Sequence, residues 1–324
     1  MENSKTPLNI VVLDGGTTNP GDISWEPIDK LGKVTYWDDT PKDLVVERAK
    51  DADAIIMNRI QMTEEVMKNL PKLKYVGLFA TGFNNVDTSY AKKTGVTVCN
   101  VPFYCVGTVA QQAFALLLEL CNHVKDHSDA IKSDNYNESI VMSHSTHPMF
   151  ELYGKTLGIV GYGNIGKTVA ALGKALNMNI LVYSKHEKKL ADGEKQVSLE
   201  ELFAQSDVIS LHCALNDDTR EMVNAKLLGL MKSTALIINT ARGGLINEQD
   251  LADALNSGKI GGAGLDVLTH EPPEKDCPLL TAKNIVLTPH IGWASKDARQ
   301  RLVENVANNL SAWMDSNPIN VVSL

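Results

Sequence analysis

No apolar run in this sequence approaches the roughly 18–20 residues that cross a bilayer, so a membrane-spanning helix is not expected. Cysteine is sparse too: five among 324 residues, at 99, 105, 121, 213 and 277, with no C-x-x-C pair. An odd and scattered set argues against a disulfide framework and for free thiols in a reducing cytoplasm. None of the five sits in an activating setting. Basic charge is in deficit, with 31 Lys and Arg against 39 Asp and Glu and a net charge of −8. That balance argues against nucleic acid or an anionic membrane as partner, yet leaves room for a local pocket for a small anion. The first seven residues are polar and lack the apolar core of a secretory signal. Internal repeats and low-complexity tracts are missing as well. A cytoplasmic globular protein of about two domains is the expectation.

What is present is alternation. Short apolar segments at 10–13, 34–37, 54–57, 75–79 and 96–99 are separated by helical patterns such as 42–50, 64–70 and 86–93. A second series follows at 157–160, 180–183, 208–211, 235–239, 262–267 and 285–287. Strands alternating with helices predict an α/β protein with two doubly wound parallel sheets. Leu302, Val306, Leu310 and Trp313 give 295–313 helical spacing, and by spacing alone that helix could close either domain. Residues 113–121 are apolar nearly all round, which predicts burial on several sides, by packing between the domains or at a dimer interface. The stretch 134–148 is polar and histidine-rich, an expected surface loop or arm carrying His144 and His147. His123 and His127 stand four apart on an expected helix, but no third ligand is near, so no metal site is assigned.

Gly161-Tyr-Gly163-Asn-Ile-Gly166 directly follows a predicted strand and opens a predicted helix. In that context the first glycine permits a tight turn, the second lets backbone approach a diphosphate, and the third allows close helix–strand packing. The diphosphate of NAD or NADP would then lie on the helix N-terminus. At the end of the next strand an NAD-binding chain usually has a carboxylate for the ribose 2′-hydroxyl. Here the residues are Ser184 and Lys185, which lean toward NADP or dual use; a solvated Lys185 with NAD bound is the alternative.

Reduction of a keto acid needs a cation for the carboxylate and a tuned proton donor for the carbonyl oxygen. Arg242 follows the strand at 235–239, and its planar fork suits a carboxylate. His290 follows the last strand, and imidazole can give and regain a proton near neutrality. Glu271 precedes that strand; a carboxylate beside the ring would favour its protonated form and fix its orientation. Singly, these are an ion-pairing arginine, a turn residue and a loop histidine. Beside a dinucleotide turn they form a candidate catalytic set.

With those residues in view, the chain resembles the D-isomer-specific 2-hydroxyacid dehydrogenases, most of all their hydroxypyruvate reductase (glycerate dehydrogenase) branch. The likeness rests on the glycine turn, Leu211-His-Cys-Ala-Leu215, Asp218-Thr-Arg220, Asn239-Thr-Ala-Arg242-Gly-Gly244, Gly264-Leu-Asp266-Val267, Glu271-Pro272 and Pro289-His290-Ile-Gly-Trp293. Ala80-Thr-Gly82 through Asp87 and Asn100-Val-Pro102 carry it into the first domain. The resemblance implies Arg242, Glu271 and His290 as the catalytic three, and backbone donors at Thr81 and Gly82 for the substrate carboxylate. It gives Asp266 the nicotinamide amide and Trp293 the closing of the substrate pocket. Thr108, Asn164, Ile165, Cys213, Ala214, Thr240 and Ala241 would line the coenzyme. It also implies a discontinuous, flavodoxin-like substrate domain of 1–103 and 295–324, a dinucleotide-binding domain of 104–294, and a homodimer. Ser184 and Ala241 depart from the commoner Asp and Ser. The expected reaction is reduction of hydroxypyruvate or glyoxylate to the D-2-hydroxy acid. A non-catalytic dinucleotide-sensing module on the same fold is the alternative.

Overall fold

The computed structural model describes residues 7–132 and 149–323. The polar stretch 134–148, with His144 and His147, therefore lies outside the described residues. The chain divides into two compact units, one of Met1–Cys105 and Ala294–Leu324, the other of Val106–Trp293.

In the first unit, β1 (Asn9–Val12), β2 (Lys33–Tyr36), β3 (Ala54–Met57), β4 (Tyr75–Leu78) and β5 (Thr97–Cys99) form one parallel sheet. Its order, β2-β1-β3-β4-β5, is the flavodoxin-like doubly wound arrangement. β3 and β4 are buried at every position, which is why they read as unbroken apolar runs. β2 at the edge alternates exposed and half-buried residues, and its sequence is correspondingly polar. The helix Lys296–Met314 belongs to this unit; Ser295 caps it by accepting from the Ala298 N–H. Its Leu302, Val306 and Leu310 are buried, and Trp313 lies against Tyr75 with ring centroids 5.2 Å apart. Arg299 anchors its first turn with a bidentate pair to Asp22 at 2.7 Å and a third bond to the Thr18 carbonyl.

The second unit carries seven parallel strands, not the six expected: β6 (Thr156–Val160), β7 (Asn179–Tyr183), β8 (Glu194–Gln196), β9 (Val208–Leu211), β10 (Leu236–Asn239), β11 (Gly262–Leu265) and β12 (Ile285–Leu287). Their order is β12-β11-β10-β9-β6-β7-β8. The additional strand, Glu-Lys-Gln, is a polar edge strand whose only recommendation is pairing with β7. The chain returns from β8 past β7 and β6 to β9, so the winding reverses between β6 and β9. At such a switch point ligands bind outside the carboxyl ends of the strands.

The helix Val106–Asn122 takes up its apolar character within this unit. Ala113, Phe114, Leu116, Leu117 and Leu120 are buried, and a Cβ on Gly264 of β11 would come within 2.9 Å of the Leu116 Cβ. Ala115 and Leu118 of the same run are exposed. His123, with φ +47°, breaks the chain direction between this helix and Val124–Lys132. His123 and His127 thus do not share one continuous helix. Among the described residues there is no metal-holding cluster, and no helix is long and apolar enough to cross a membrane.

Candidate active site

The glycine turn follows β6 and its first residue is fixed from two sides. The Gly161 N–H donates to the Tyr183 carbonyl at the end of β7 (2.9 Å). A Cβ on Gly161 would lie 2.5 Å from the Cys213 nitrogen, and φ is +96°, so no other residue fits. At Gly166 a Cβ would come within 2.2 Å of the Gly161 carbonyl oxygen. Gly163 is different: a Cβ there would meet nothing within 4 Å. Two glycines are thus demanded by packing, while the middle one leaves open space where a diphosphate could approach the protein backbone. Gly163 caps the helix Asn164–Ala175 without a side-chain hydrogen bond, which leaves that helix end's N–H groups and positive dipole for an anion. Asn164 is exposed and Ile165 half-buried on its first turn. Just past β10, the Thr240 hydroxyl oxygen is buried without a hydrogen-bond partner. A buried orphan of this kind calls for a ligand atom. These features fit a dinucleotide.

The loops flanking the turn are fixed as well. Cys213 and Ala214 begin the loop after β9, and burial pushes the Cys213 thiol up to about 11, which makes it a lining group and not a nucleophile. Ser184 and Lys185 follow β7, and the Gln196 amide of β8 holds their turn by donating to the Ser184 and His186 carbonyls (3.2 and 3.1 Å). Lys185 is not a lone solvated charge. Its Nζ pairs with Asp218 Oδ2 at 2.6 Å, a partner that sequence reading passed over because it lies 33 residues away.

The candidate catalytic groups come from three neighbouring loops of the same unit. His290 Nδ1 and Glu271 Oε2 are 2.7 Å apart, which leaves Nε2 as the ring nitrogen not engaged by the carboxylate. Glu271 Oε1 accepts from the Leu268 N–H at 3.1 Å. Burial pushes the Glu271 carboxyl upward, but His290, the Leu268 N–H and the Arg242 charge together hold it below the usual carboxylate range. Glu271 therefore stays ionised beside the imidazole. Arg242 is exposed; its Nη1 donates to the Ala241 carbonyl, and the buried Asn239 side chain ties the loop by bonding the Ala241 N–H and the Arg242 carbonyl. A Cβ on Gly243 would lie 1.9 Å from the Leu268 carbonyl carbon. This backbone-on-backbone contact joins the Arg242 loop to the Glu271 loop.

Asp266 emerges as the organiser of the His290 loop. Only 1% exposed, its Oδ1 accepts from Thr288 Oγ1 (2.6 Å) and the Ile291 N–H (2.9 Å), and its Oδ2 from the Gly292 N–H (2.7 Å). Its carbonyl accepts from the His290 N–H at 2.8 Å. This network holds His290 at φ +55°, a left-handed conformation uncommon for a residue with a side chain. Thr288 is bonded in turn by Gln112 at 3.0 Å. Three of the carboxylate's acceptor positions are therefore used internally, a duty the sequence did not announce.

Of the remaining candidates, Thr108 stands in the first turn of Val106–Asn122, and Trp293 is half-buried at the end of the His290 loop. Thr81 and Gly82 belong to the other unit, past the carboxyl end of β4. There the Thr81 hydroxyl donates to the Val101 carbonyl, and Asn100 Nδ2 to the Thr81 carbonyl.

Residues 114–292 match the model of the D-isomer specific 2-hydroxyacid dehydrogenase NAD-binding domain. A hydroxypyruvate reductase of Blautia hydrogenotrophica is 42% identical over 321 residues, 98% of this chain and 100% of that protein. A glycerate dehydrogenase of Methylorubrum extorquens is 39% identical over 285 residues, 87% of this chain and 89% of its own. Among solved structures, D-lactate dehydrogenase from Escherichia coli superposes with a TM-score of 0.86 at 27% identity, covering 97% of this chain and 100% of its own. An acyclic imino acid reductase in complex with NADPH and D-Arg gives 0.85 at 32% identity, with coverage of 97% and 100%.

Proposed function

The chain belongs to the D-isomer specific 2-hydroxyacid dehydrogenase family and is an NAD(P)-dependent oxidoreductase of small keto and hydroxy acids; on that premise we propose that it reduces hydroxypyruvate or glyoxylate to the D-2-hydroxy acid. The observation that carries this reading is the 2.7 Å contact between His290 Nδ1 and Glu271 Oε2, with the Arg242 charge acting on the same carboxylate.

When bound, the reduced nicotinamide supplies the hydride for the keto carbon. His290 gives a proton from Nε2 to the carbonyl oxygen, and Glu271 holds the ring by the opposite nitrogen so that Nε2 faces the substrate. The Glu271 carboxylate, held ionised, fixes the ring's orientation through Nδ1. Arg242 binds the substrate carboxylate through its guanidinium fork. The family pattern gives the backbone of Thr81 and Gly82 the same duty, and Trp293 the enclosure of the substrate. Gly161, Gly163, Gly166, Asn164 and Ile165 hold the coenzyme diphosphate. Thr108, Cys213, Ala214, Thr240 and Ala241 line the rest of the coenzyme, and Asp266 meets the nicotinamide amide with what acceptor capacity its loop leaves. Ser184 and Lys185 carry no carboxylate against a 2′-phosphate, which supports NADP or dual use. A homodimer in the cytoplasm completes the proposal; light scattering separates 35.3 kDa from twice that mass.

The test is His290→Ala assayed by reduced-coenzyme absorbance, with hydroxypyruvate and glyoxylate and with both coenzymes. Turnover should fall about 10²–10⁴-fold while coenzyme binding is retained. Unchanged turnover would overturn the acid–base assignment.

A further inference from the structure

We propose that Asp218 sets the coenzyme preference of this chain, acting as the counterweight to Lys185 and favouring NAD(H) over NADP(H). The proposal rests on the dinucleotide site assigned above and reverses the lean toward NADP that Ser184 and Lys185 give when taken without Asp218.

Three observations carry it. First, the loop bearing Asp218 and the turn bearing Lys185 both border the glycine turn: Gly161 bonds the last residue of β7 and abuts Cys213 in the loop after β9. Second, both charges are presented by fixed backbone. The Asn216 side chain accepts from the Asp218 and Thr219 N–H groups (3.0 and 3.1 Å), and the Thr219 hydroxyl donates to the Ala214 carbonyl (2.8 Å). Gln196 fixes the carbonyls on either side of Lys185. Third, the pair is 2.6 Å apart with side chains 73% and 71% exposed. An exposed pair of this kind adds little to folding stability, so its charges matter chiefly to what docks against them.

The chemistry discriminates between two ligands. A ribose 2′-hydroxyl needs an acceptor, and Asp218 supplies from the next loop the carboxylate that β7 lacks. A 2′-phosphate carries a charge of about −1.5 to −2; it must draw Lys185 away from Asp218 and then faces that carboxylate across a few ångströms. Removing the Asp218 charge frees Lys185 and abolishes the repulsion together.

Asp218→Asn should raise the NADPH-to-NADH ratio of kcat/KM by about tenfold, through KM, with the gain shrinking at high ionic strength. Lys185→Ala should move the ratio the other way, and should cancel the gain when combined with Asp218→Asn. The amide variant keeps the turn, because the Asn216 contacts use backbone N–H groups. A ratio within about twofold of wild type in Asp218→Asn, with Lys185→Ala still lowering it, would overturn the proposal. Fluorescence titration of the binary complexes with NADH and NADPH gives the same ratio without any keto acid. A chain that turns over no keto acid thus refutes the proposed function, while the titration still decides on Asp218.

Discussion

Asp266→Asn is the substitution that most directly probes how the His290 loop is held. The carboxylate accepts three hydrogen bonds, two at Oδ1 and one at Oδ2, and is almost wholly buried. An asparagine can keep its single oxygen where Thr288 Oγ1 and the Ile291 N–H converge. Its amide nitrogen then points at the Gly292 N–H, donor against donor. Leaving that N–H unsatisfied and losing the charge on the other two bonds costs about 2–3 kcal/mol. In a unit of about 190 residues this lowers Tm by about 4–12 °C. The loop also loses what holds His290 at positive φ, and a displacement of about 1 Å at a proton donor lowers turnover by about 10²-fold. Calorimetry gives the first quantity and steady-state kinetics the second. The coenzyme dissociation constant, measured alongside, separates loop support from contact with the nicotinamide amide. Retention of wild-type Tm and kcat by Asp266→Asn would refute the reasoning.

Two further outcomes follow from burial and close packing. Burial pushes the His212 imidazole down to about 3 from 6.5, so the unfolded chain takes up that proton first; the stability present above pH 6.5 is lost as pH falls toward 3, by up to about 1.4 kcal/mol per pH unit. Denaturant unfolding at about pH 7.5 and about pH 5.5 should show an extra loss of about 1 kcal/mol in wild type that His212→Gln lacks, and equal losses in both proteins would count against it. Gly243→Ala sets a methyl group 1.9 Å from the Leu268 carbonyl carbon, backbone against backbone, and should cost more than about 3 kcal/mol and all measurable turnover; a soluble variant with normal kcat would contradict that close approach.

Much of the architecture was legible because it rests on local patterns. The five strands of the first sheet, four of them apolar and the edge strand β2 mixed, are all observed within a residue or so of the expected segments. β8 was not legible: Glu-Lys-Gln has no β-like composition and is a strand only because Ile180, Leu181 and Val182 pair with it. The glycine turn could be read because three glycines at that spacing have a steric purpose, now visible in two would-be clashes and one open position. The Lys185–Asp218 pair could not, since nothing local links residues 33 apart. The threefold use of the Asp266 carboxylate was hidden for the same reason: it depends on how the loop after β12 folds back onto the end of β11. The apolar surround of 113–121 predicts burial on several sides; the sheet of its own unit covers Ala113, Phe114, Leu116, Leu117 and Leu120, while Ala115 and Leu118 stay exposed.

The divided first unit bears on how this polypeptide is made. Its five strands leave the ribosome early, but Lys296–Met314, whose Leu302, Val306 and Leu310 are buried in the finished unit, is synthesised only after residues 106–293. At ordinary elongation rates that interval lasts roughly ten to forty seconds. Throughout it, the apolar surface that this helix will cover has no native cover, whereas the continuous second unit can mature as soon as its last strand emerges. Chaperone demand and misassembly during translation should therefore concentrate on the split unit.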